Sequence, residues 1–160
     1  MQGVSGSGKS TLARRLRDAC PAGTCVIVSA DALFFGPDGT YTFDPTKLDE
    51  AHNECFRNFL RALVDDNVQV ILVDNTNTLS ADCAPYMRAA SAFGWKPRIL
   101  RVECDPAVAL GRNGGRAPAK VVDGQARNLE YQTLPAYWKV STVKAGEIPE
   151  PADLLVWPVF

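Results

Sequence analysis

The sequence predicts a three-layer α/β fold, a mostly parallel sheet of four or five strands between helices. Three observations carry this. Gly3-Val4-Ser5-Gly6-Ser7-Gly8-Lys9-Ser10-Thr11 fits G-x-x-x-x-G-K-[ST], a phosphate-binding loop (P-loop) that opens a helix. Short β-branched runs then alternate with segments of helical periodicity. A glycine- and arginine-rich stretch, about 111–131, lies before the last expected strand. At 160 residues the chain is most simply one domain, residues 1–160, large enough to bury a full core.

Each part of the loop has a physical task. Gly3, Gly6 and Gly8 allow backbone angles that a side chain forbids, and let the main chain approach a phosphate. Successive N–H groups from Ser5 and Ser7 through Thr11 form a concave anion site, to which the following helix adds the positive end of its dipole. Lys9 is placed to reach β- and γ-phosphates, and the Ser10 hydroxyl to bind Mg²⁺. Leu12, Ala13, Leu16 and Ala19 share one helical face behind the loop, which sets it apart from a flexible Gly/Ser linker. Such a loop normally follows a central strand. Only Met1 and Gln2 precede Gly3, so the expected first strand is absent or truncated, or another segment fills its place.

The helix ends near Cys20-Pro21-Ala22-Gly23, and Thr24–Ser29 reads as a buried strand. Asp31 follows at its carboxyl end, the side on which open α/β sheets bind ligands. It is either a general base or the cap of a turn, and position and chemistry favour the base. Residues 34–45 form an aromatic loop with a turn at Pro37-Asp38-Gly39. Phe34, Phe35, Tyr41 and Phe43 either wall a substrate cleft or close the core. Residues 46–64 form a helix, with Leu48, Ala51, Cys55, Phe59 and Leu63 at core spacing and His52 beside them as a structural histidine.

Val68–Asp74 is the clearest buried strand, and Asp74 closes it where a carboxylate holds Mg²⁺ directly or through water. Asn75-Thr76-Asn77-Thr78 is a polar set at the same edge, more than the capping of the helix from Ser80 requires. That helix carries Pro85 early and stops at Gly94. A strand follows at 98–103, then a helix from Asp105-Pro106 through Leu110. Gly111–Pro118 interrupts it before a further helix to about Tyr131. Arg112, Arg116, Lys120 and Arg127 make 111–131 a mobile lid that brings cations to a transferring phosphate, the alternative being a solvated loop. Leu154-Leu155-Val156-Trp157 reads as an edge strand, about 153–157.

The bulk numbers narrow the class. The apolar fraction is 46%, the charged fraction 22% and the net charge −1, which argues against a large electrostatic footprint on nucleic acid but leaves room for one strand end. Five cysteines without a C-x-x-C pair read as reduced thiols, hence a cytoplasmic chain (or nuclear, in a eukaryote). The single histidine excludes a multi-histidine metal site, no apolar run spans a membrane, and nothing asks for an obligatory protein partner.

The order of elements resembles the nucleoside-monophosphate-kinase-like group of P-loop proteins. Ser29-Ala30-Asp31, Tyr41-Thr42-Phe43-Asp44-Pro45, Leu48 with Ala51-His52, Asp74-Asn75-Thr76-Asn77, Cys104-Asp105-Pro106 and Arg112-Asn113 occur in that order. Together they resemble the polynucleotide-kinase-like family, which includes 5′-hydroxyl polynucleotide kinases and the P-loop domains of 2′,3′-cyclic-phosphodiesterase-type proteins. The resemblance covers residues 3 to about 131. It implies ATP- and Mg²⁺-dependent transfer of the γ-phosphate to a hydroxyl, often a nucleic-acid 5′-OH. Lys9, Ser10 and Thr11 would hold phosphates and Mg²⁺, Asp31 would take the hydroxyl proton, and Arg112 and Arg116 would stabilise the transition state. Asn75 would lie near the acceptor, with Asn77, Tyr41 and Phe34 as further substrate contacts. Phe34 stands where these kinases often carry an arginine, and Gly115 where the closer relatives often carry a histidine. Both departures bear on the acceptor. The rival expectations are a small-molecule kinase, acting on a nucleoside, sugar or antibiotic hydroxyl, and a nucleotide-binding domain whose catalysis has decayed.

Overall fold

A computed structural model describes residues 1–147. In chain order, α1 is Lys9–Asp18, β1 Cys25–Val28, α2 Leu48–Leu63, β2 Val70–Val73 and α3 Ser80–Ala92. Then come β3 Ile99–Glu103, α4 Pro106–Arg112, α5 Ala119–Tyr131 and β4 Val140–Lys144. Two short 3-10 helices, Ala30–Phe34 and Pro45–Lys47, frame the aromatic loop.

β1 pairs with β2 in parallel, and β3 pairs with β4 in parallel. The chain's first residues join the two pairs. On one side the Met1 nitrogen donates to the Val73 carbonyl (2.6 Å) and the Gly3 N–H to the Thr76 carbonyl (3.0 Å). On the other, the Gln2 N–H donates to the Leu100 carbonyl and the Val102 N–H to the Gln2 carbonyl, both at 2.8 Å. The order is therefore β1, β2, residues 1–3, β3, β4, all parallel. The place expected for a first strand is filled at its carboxyl end by Met1–Gly3 themselves.

Further along the strands nothing described joins β2 to β3, and an apolar cleft of about 500 Å³ opens there, lined by Phe59, Leu63, Ile71, Met87, Trp95 and Ile99 among others. This corrects one expectation. All four residues of β2 are half-buried rather than buried, because one edge of the strand borders that cleft.

The strands alternate as a sheet covered on both faces must. Val26, Val28, Ile71 and Val73 pack with Ala51, Cys55, Phe59 and Leu63 of α2 and Ala90 of α3. Cys25, Val70, Leu72, Leu100, Val102 and Val143 pack with Leu12 and Leu16 of α1 and with Cys20. Removing a side chain as enclosed as Leu16, 1% exposed, costs on the order of 2–5 kcal/mol. α4 and α5 rest on the loop through Val4, Ala109 and Val122.

The strand β4 has no counterpart in the sequence reading. It is short and mostly exposed, and among the described residues it pairs only with β3; it lacks the apolar run that marks a buried strand. The edge strand expected at 153–157 lies outside the described residues. All five thiols are free, and no described helix is long and apolar enough to cross a membrane.

Candidate active site

The site lies at the carboxyl ends of β1 and β2, in a cleft of roughly 1210 Å³. Its floor is residues 5–11. α1 starts at Lys9 with Gly8 as its N-cap in a left-handed conformation, and no side chain caps its first turn. An uncapped helix start presents N–H donors and the positive dipole end to an anion. Gly8 (φ +98) has nothing within 4 Å of a notional Cβ, so a phosphate has room there. Gly6 (φ +83) is required for another reason: a Cβ would overlap the carbonyl of Ala109, midway along α4. The loop and α4 are in backbone contact at this point.

Lys9 is 7% exposed. Its Nζ donates to the Val4 carbonyl (2.7 Å) and to Ser7 Oγ (3.4 Å), folding the ammonium into the loop. Burial lowers its pKa to about 8, a shift opposed by the negative charges of Asp74 and Asp31. Asp74, just past β2, has a buried Oδ1 with no hydrogen-bond partner. An unsatisfied carboxylate oxygen near a lysine and a phosphate loop fits a hard cation, which takes oxygen donors. Asp74 and the exposed Ser10 hydroxyl are the residues that would hold Mg²⁺, with phosphate oxygens completing its shell. No cluster of three or more acidic, histidine or cysteine ligands exists among the described residues, so a fully protein-built cage is not on offer.

Asp31 is exposed on the 3-10 helix that follows β1. The Ser29 hydroxyl accepts from the Asp31 N–H (3.3 Å) and donates to the Asp74 carbonyl (2.8 Å), fixing the two acidic positions relative to each other. The Asp31 carboxylate makes no ion pair among the described residues; Oδ1 accepts a long hydrogen bond from Tyr41 OH (3.5 Å). Burial and the charge of Asp31 push the Tyr41 phenol above its usual pKa, while Arg116 pulls it down.

The segment expected as a lid, about 111–131, comprises the end of α4, the turn 113–118 and α5. Arg112 and Arg116 both line the cleft. The Arg116 guanidinium carbon lies 5.0 Å from the Tyr41 ring centroid and 5.8 Å from that of Phe35. Asn113 is buried and builds the turn: its Nδ2 donates to the Ala117 carbonyl (2.8 Å) and its Oδ1 accepts from the Gly115 N–H (2.8 Å). On α5, Gln125 Oε1 accepts from the Ser5 N–H (2.8 Å), tying that helix to the loop.

Thus Lys9, Ser10, Thr11, Asp31, Tyr41, Asp74, Asn75, Arg112 and Arg116 line one cleft. Three sequence expectations change. Phe34, expected at the substrate, is 4% exposed and packs in the core, 5.0 Å from Phe43 centroid to centroid. Its 3-10 helix turns Phe34 inward and leaves Phe35 in the cleft. Asn77, also expected at the substrate, lies outside the cleft. It is buried with φ +45, and its Nδ2 donates to the Met1 carbonyl (2.9 Å). His52, expected as a structural histidine, is exposed and lines the cleft. Asn75 borders the cleft but is committed at both ends: Oδ1 accepts from the Ala30 N–H (2.9 Å) and Nδ2 donates to Cys55 Sγ (3.4 Å).

Sequence reasoning missed the tasks of Asn113 and Gln125. Gln125 had a signal, a polar residue three positions after Val122 and four before Leu129 on the inward stripe of its helix.

A family model described as an AAA domain matches residues 1–134. Human NEDD4-binding protein 2 is 36% identical over 96 residues, which cover 60% of this chain and 5% of that protein's length. The crystal structure of a gluconokinase from Sinorhizobium meliloti 1021 superposes with a TM-score of 0.60 at 16% identity, covering 95% of this chain and 83% of that one. That likeness shows the fold. With its phosphate loop, parallel strands and matching family model, the chain belongs to the AAA domain family and is a P-loop kinase-like nucleotide-binding domain.

Proposed function

We propose that this domain transfers the γ-phosphate of ATP to a hydroxyl acceptor, and that the acceptor is the 5′-hydroxyl of a polynucleotide. The observation that carries the reading is Asp31: an exposed carboxylate, in no ion pair among the described residues, sharing one open cleft with the Lys9 loop and the lid arginines. A loop alone binds nucleotide; a loop facing a free carboxylate supports transfer to a hydroxyl. The acceptor oxygen attacks the γ-phosphorus in line, its proton passes to Asp31, and the bond to the β–γ bridging oxygen breaks to release ADP. Lys9 holds the β- and γ-phosphates. Arg112 and Arg116 supply cations to the equatorial oxygens as charge spreads over them. Mg²⁺, held by Ser10 and Asp74, would neutralise phosphate charge.

Two features favour a strand end as acceptor. Arg14 and Arg15 line the same cleft beyond the cations that ATP needs, and Phe35, Tyr41 and Phe43 give it an aromatic wall. A second reading, a small-molecule kinase acting on a nucleoside, sugar or antibiotic hydroxyl, is favoured by the fold likeness to a gluconokinase. The third, a domain that binds nucleotide without turnover, is weakened by the free Asp31.

The test is γ-labelled ATP with Mg²⁺, presented with 5′-OH oligoribonucleotides, 5′-OH oligodeoxyribonucleotides and a panel of hydroxylated metabolites, with Lys9→Ala as the blank. Lys9-dependent label on the oligonucleotides is the expected result. Label on a metabolite alone selects the second reading, and ATP binding with no transfer selects the third.

A further inference from the structure

The least explained contact in the cleft is between a cation and two rings. Arg116 belongs to the phosphate-transfer machinery by position, yet its guanidinium rests on the aromatic loop, 5.0 Å from the Tyr41 centroid and 5.8 Å from that of Phe35. The two ring centroids are 5.1 Å apart at 57°, and residues 35 and 41 are paired by an antiparallel bridge that fixes them side by side. Behind them the rest of the aromatic loop is anchored: Phe34 is buried and meets Tyr41 edge-on at 6.2 Å. Phe35 itself is 43% exposed. With Tyr41 and Phe43 it lines the ligand cleft, so the exposed ring belongs to a contiguous aromatic surface rather than standing alone.

A guanidinium is flat and stacks on ring faces as a nucleobase does. The geometry points to Phe35 and Tyr41 as the docking platform for a planar ring of the acceptor, with Arg116 as the place-holder that this ring displaces. The platform rests on the acceptor reading above and sharpens it: it selects an acceptor with a π-face next to its hydroxyl, and disfavours an aliphatic polyol. Asp31 is adjacent, since Tyr41 OH reaches its Oδ1 at 3.5 Å, so a ring stacked on Tyr41 carries its neighbouring hydroxyl to the base. Displaced Arg116 is free to turn toward the phosphates. Arg116 is exposed and borders the open cleft, so its side chain has room to swing while Asn113 holds the turn behind it. Arg116 therefore becomes available for transfer when an acceptor is present, which suppresses loss of the phosphate to water in its absence.

Binding reads this apart from transfer. A 5′-OH thymidine trinucleotide and the same trinucleotide with an abasic 5′ residue are titrated calorimetrically into the protein without nucleotide. The expected preference of wild type for the intact trinucleotide is about tenfold, the worth of one base stacked on an aromatic ring. Tyr41→Leu brings that ratio close to one. Tyr41→Phe preserves it, since the ring face stays, and Arg116→Gln raises it about two- to fivefold by removing the competing cation. Using the ratio cancels any attraction of Arg116 for backbone phosphate. Equal binding of the two trinucleotides to wild type overturns the platform, as does a preference that folded Tyr41→Leu leaves unchanged, even if label transfer to oligonucleotides succeeds. If neither trinucleotide binds, the polynucleotide reading falls, and adenosine against ribose decides the platform: a Tyr41-dependent preference for adenosine keeps it, and no preference overturns it.

Discussion

At the scale of single residues the site turns on two charges held in different environments. Lys9 is buried, and its pKa of about 8 lies below the ordinary 10.5 because desolvation penalises the ammonium. Between those values the unfolded chain binds more protons than the folded one, so Lys9's contribution makes the nucleotide-free protein more stable as pH rises from about 8 toward 10.5. Nucleotide binding responds with the opposite sign. Phosphate favours the charged lysine and pulls its pKa back up, so binding above pH 8 takes up a proton. ATP affinity measured by calorimetry is expected to be flat below about pH 7.5. Above pH 8 it weakens by up to about tenfold per pH unit, with proton uptake visible across buffers of different ionisation enthalpy, and Lys9→Met abolishes the dependence. Asp31 sits at the other extreme, exposed and held by one long hydrogen bond. Asp31→Asn is expected to lower turnover on the order of a hundredfold while leaving the ATP dissociation constant within about twofold. Unchanged turnover in that variant would remove Asp31 as the base.

At the scale of elements, the loop is positioned by what packs on it. The Gly6 backbone meets the Ala109 carbonyl midway along α4, and Ser5 meets Gln125 of α5. Gly6→Ala is therefore a sharper probe than a change at Gly8. It places a methyl against the Ala109 carbonyl and a side chain at φ +83. The expected cost is roughly 1–3 kcal/mol in a urea titration, with ATP affinity reduced tenfold or more because α4 and the loop must separate. Retention of wild-type ATP affinity would show that the contact between α4 and the loop is not needed for phosphate binding. The sequence marked the segment 111–118 by its arginines and glycines, and marked the helices α4 and α5 on either side of it within a residue or two. It did not mark the contact, because glycine against a carbonyl leaves no pattern in the chain.

At the scale of the molecule, the two strand pairs are held together at the site by residues 1–3 and by one fully buried side chain. Gln2 Oε1 accepts from Arg101 Nε (2.8 Å), and its Nε2 donates to the Asn77 carbonyl (2.9 Å) and to Gln132 Oε1 (3.3 Å). It thereby joins β3, the turn after β2 and the end of α5. Gln2→Leu keeps the volume but leaves those partners unsatisfied. The expected loss is about 2–4 kcal/mol by urea denaturation with the slope unchanged, together with weaker ATP binding. A loss below about 1 kcal/mol would mean that the network is not what holds the halves in register.

Much of this was decided locally and could be read from the chain. A phosphate loop is a backbone conformation set by its own glycines and its own lysine, so nine residues fix it. The carboxylates at 31 and 74 were legible because each ends a short β-branched run, and strands in a parallel sheet all end on the same side. What the chain could not reveal depends on partners far apart in sequence. Whether Phe34 or Phe35 faces the cleft is one step of rotation in a 3-10 helix, decided by what packs behind it. Asn75 and Asn77 look alike in a polar run, but Asn77 turns away because its amide is needed at the Met1 carbonyl. β4 is a strand because β3 offers it an edge, not because its own residues are apolar. Local chemistry follows the sequence; the direction a side chain faces is settled by the long-range packing that leaves it one place to go.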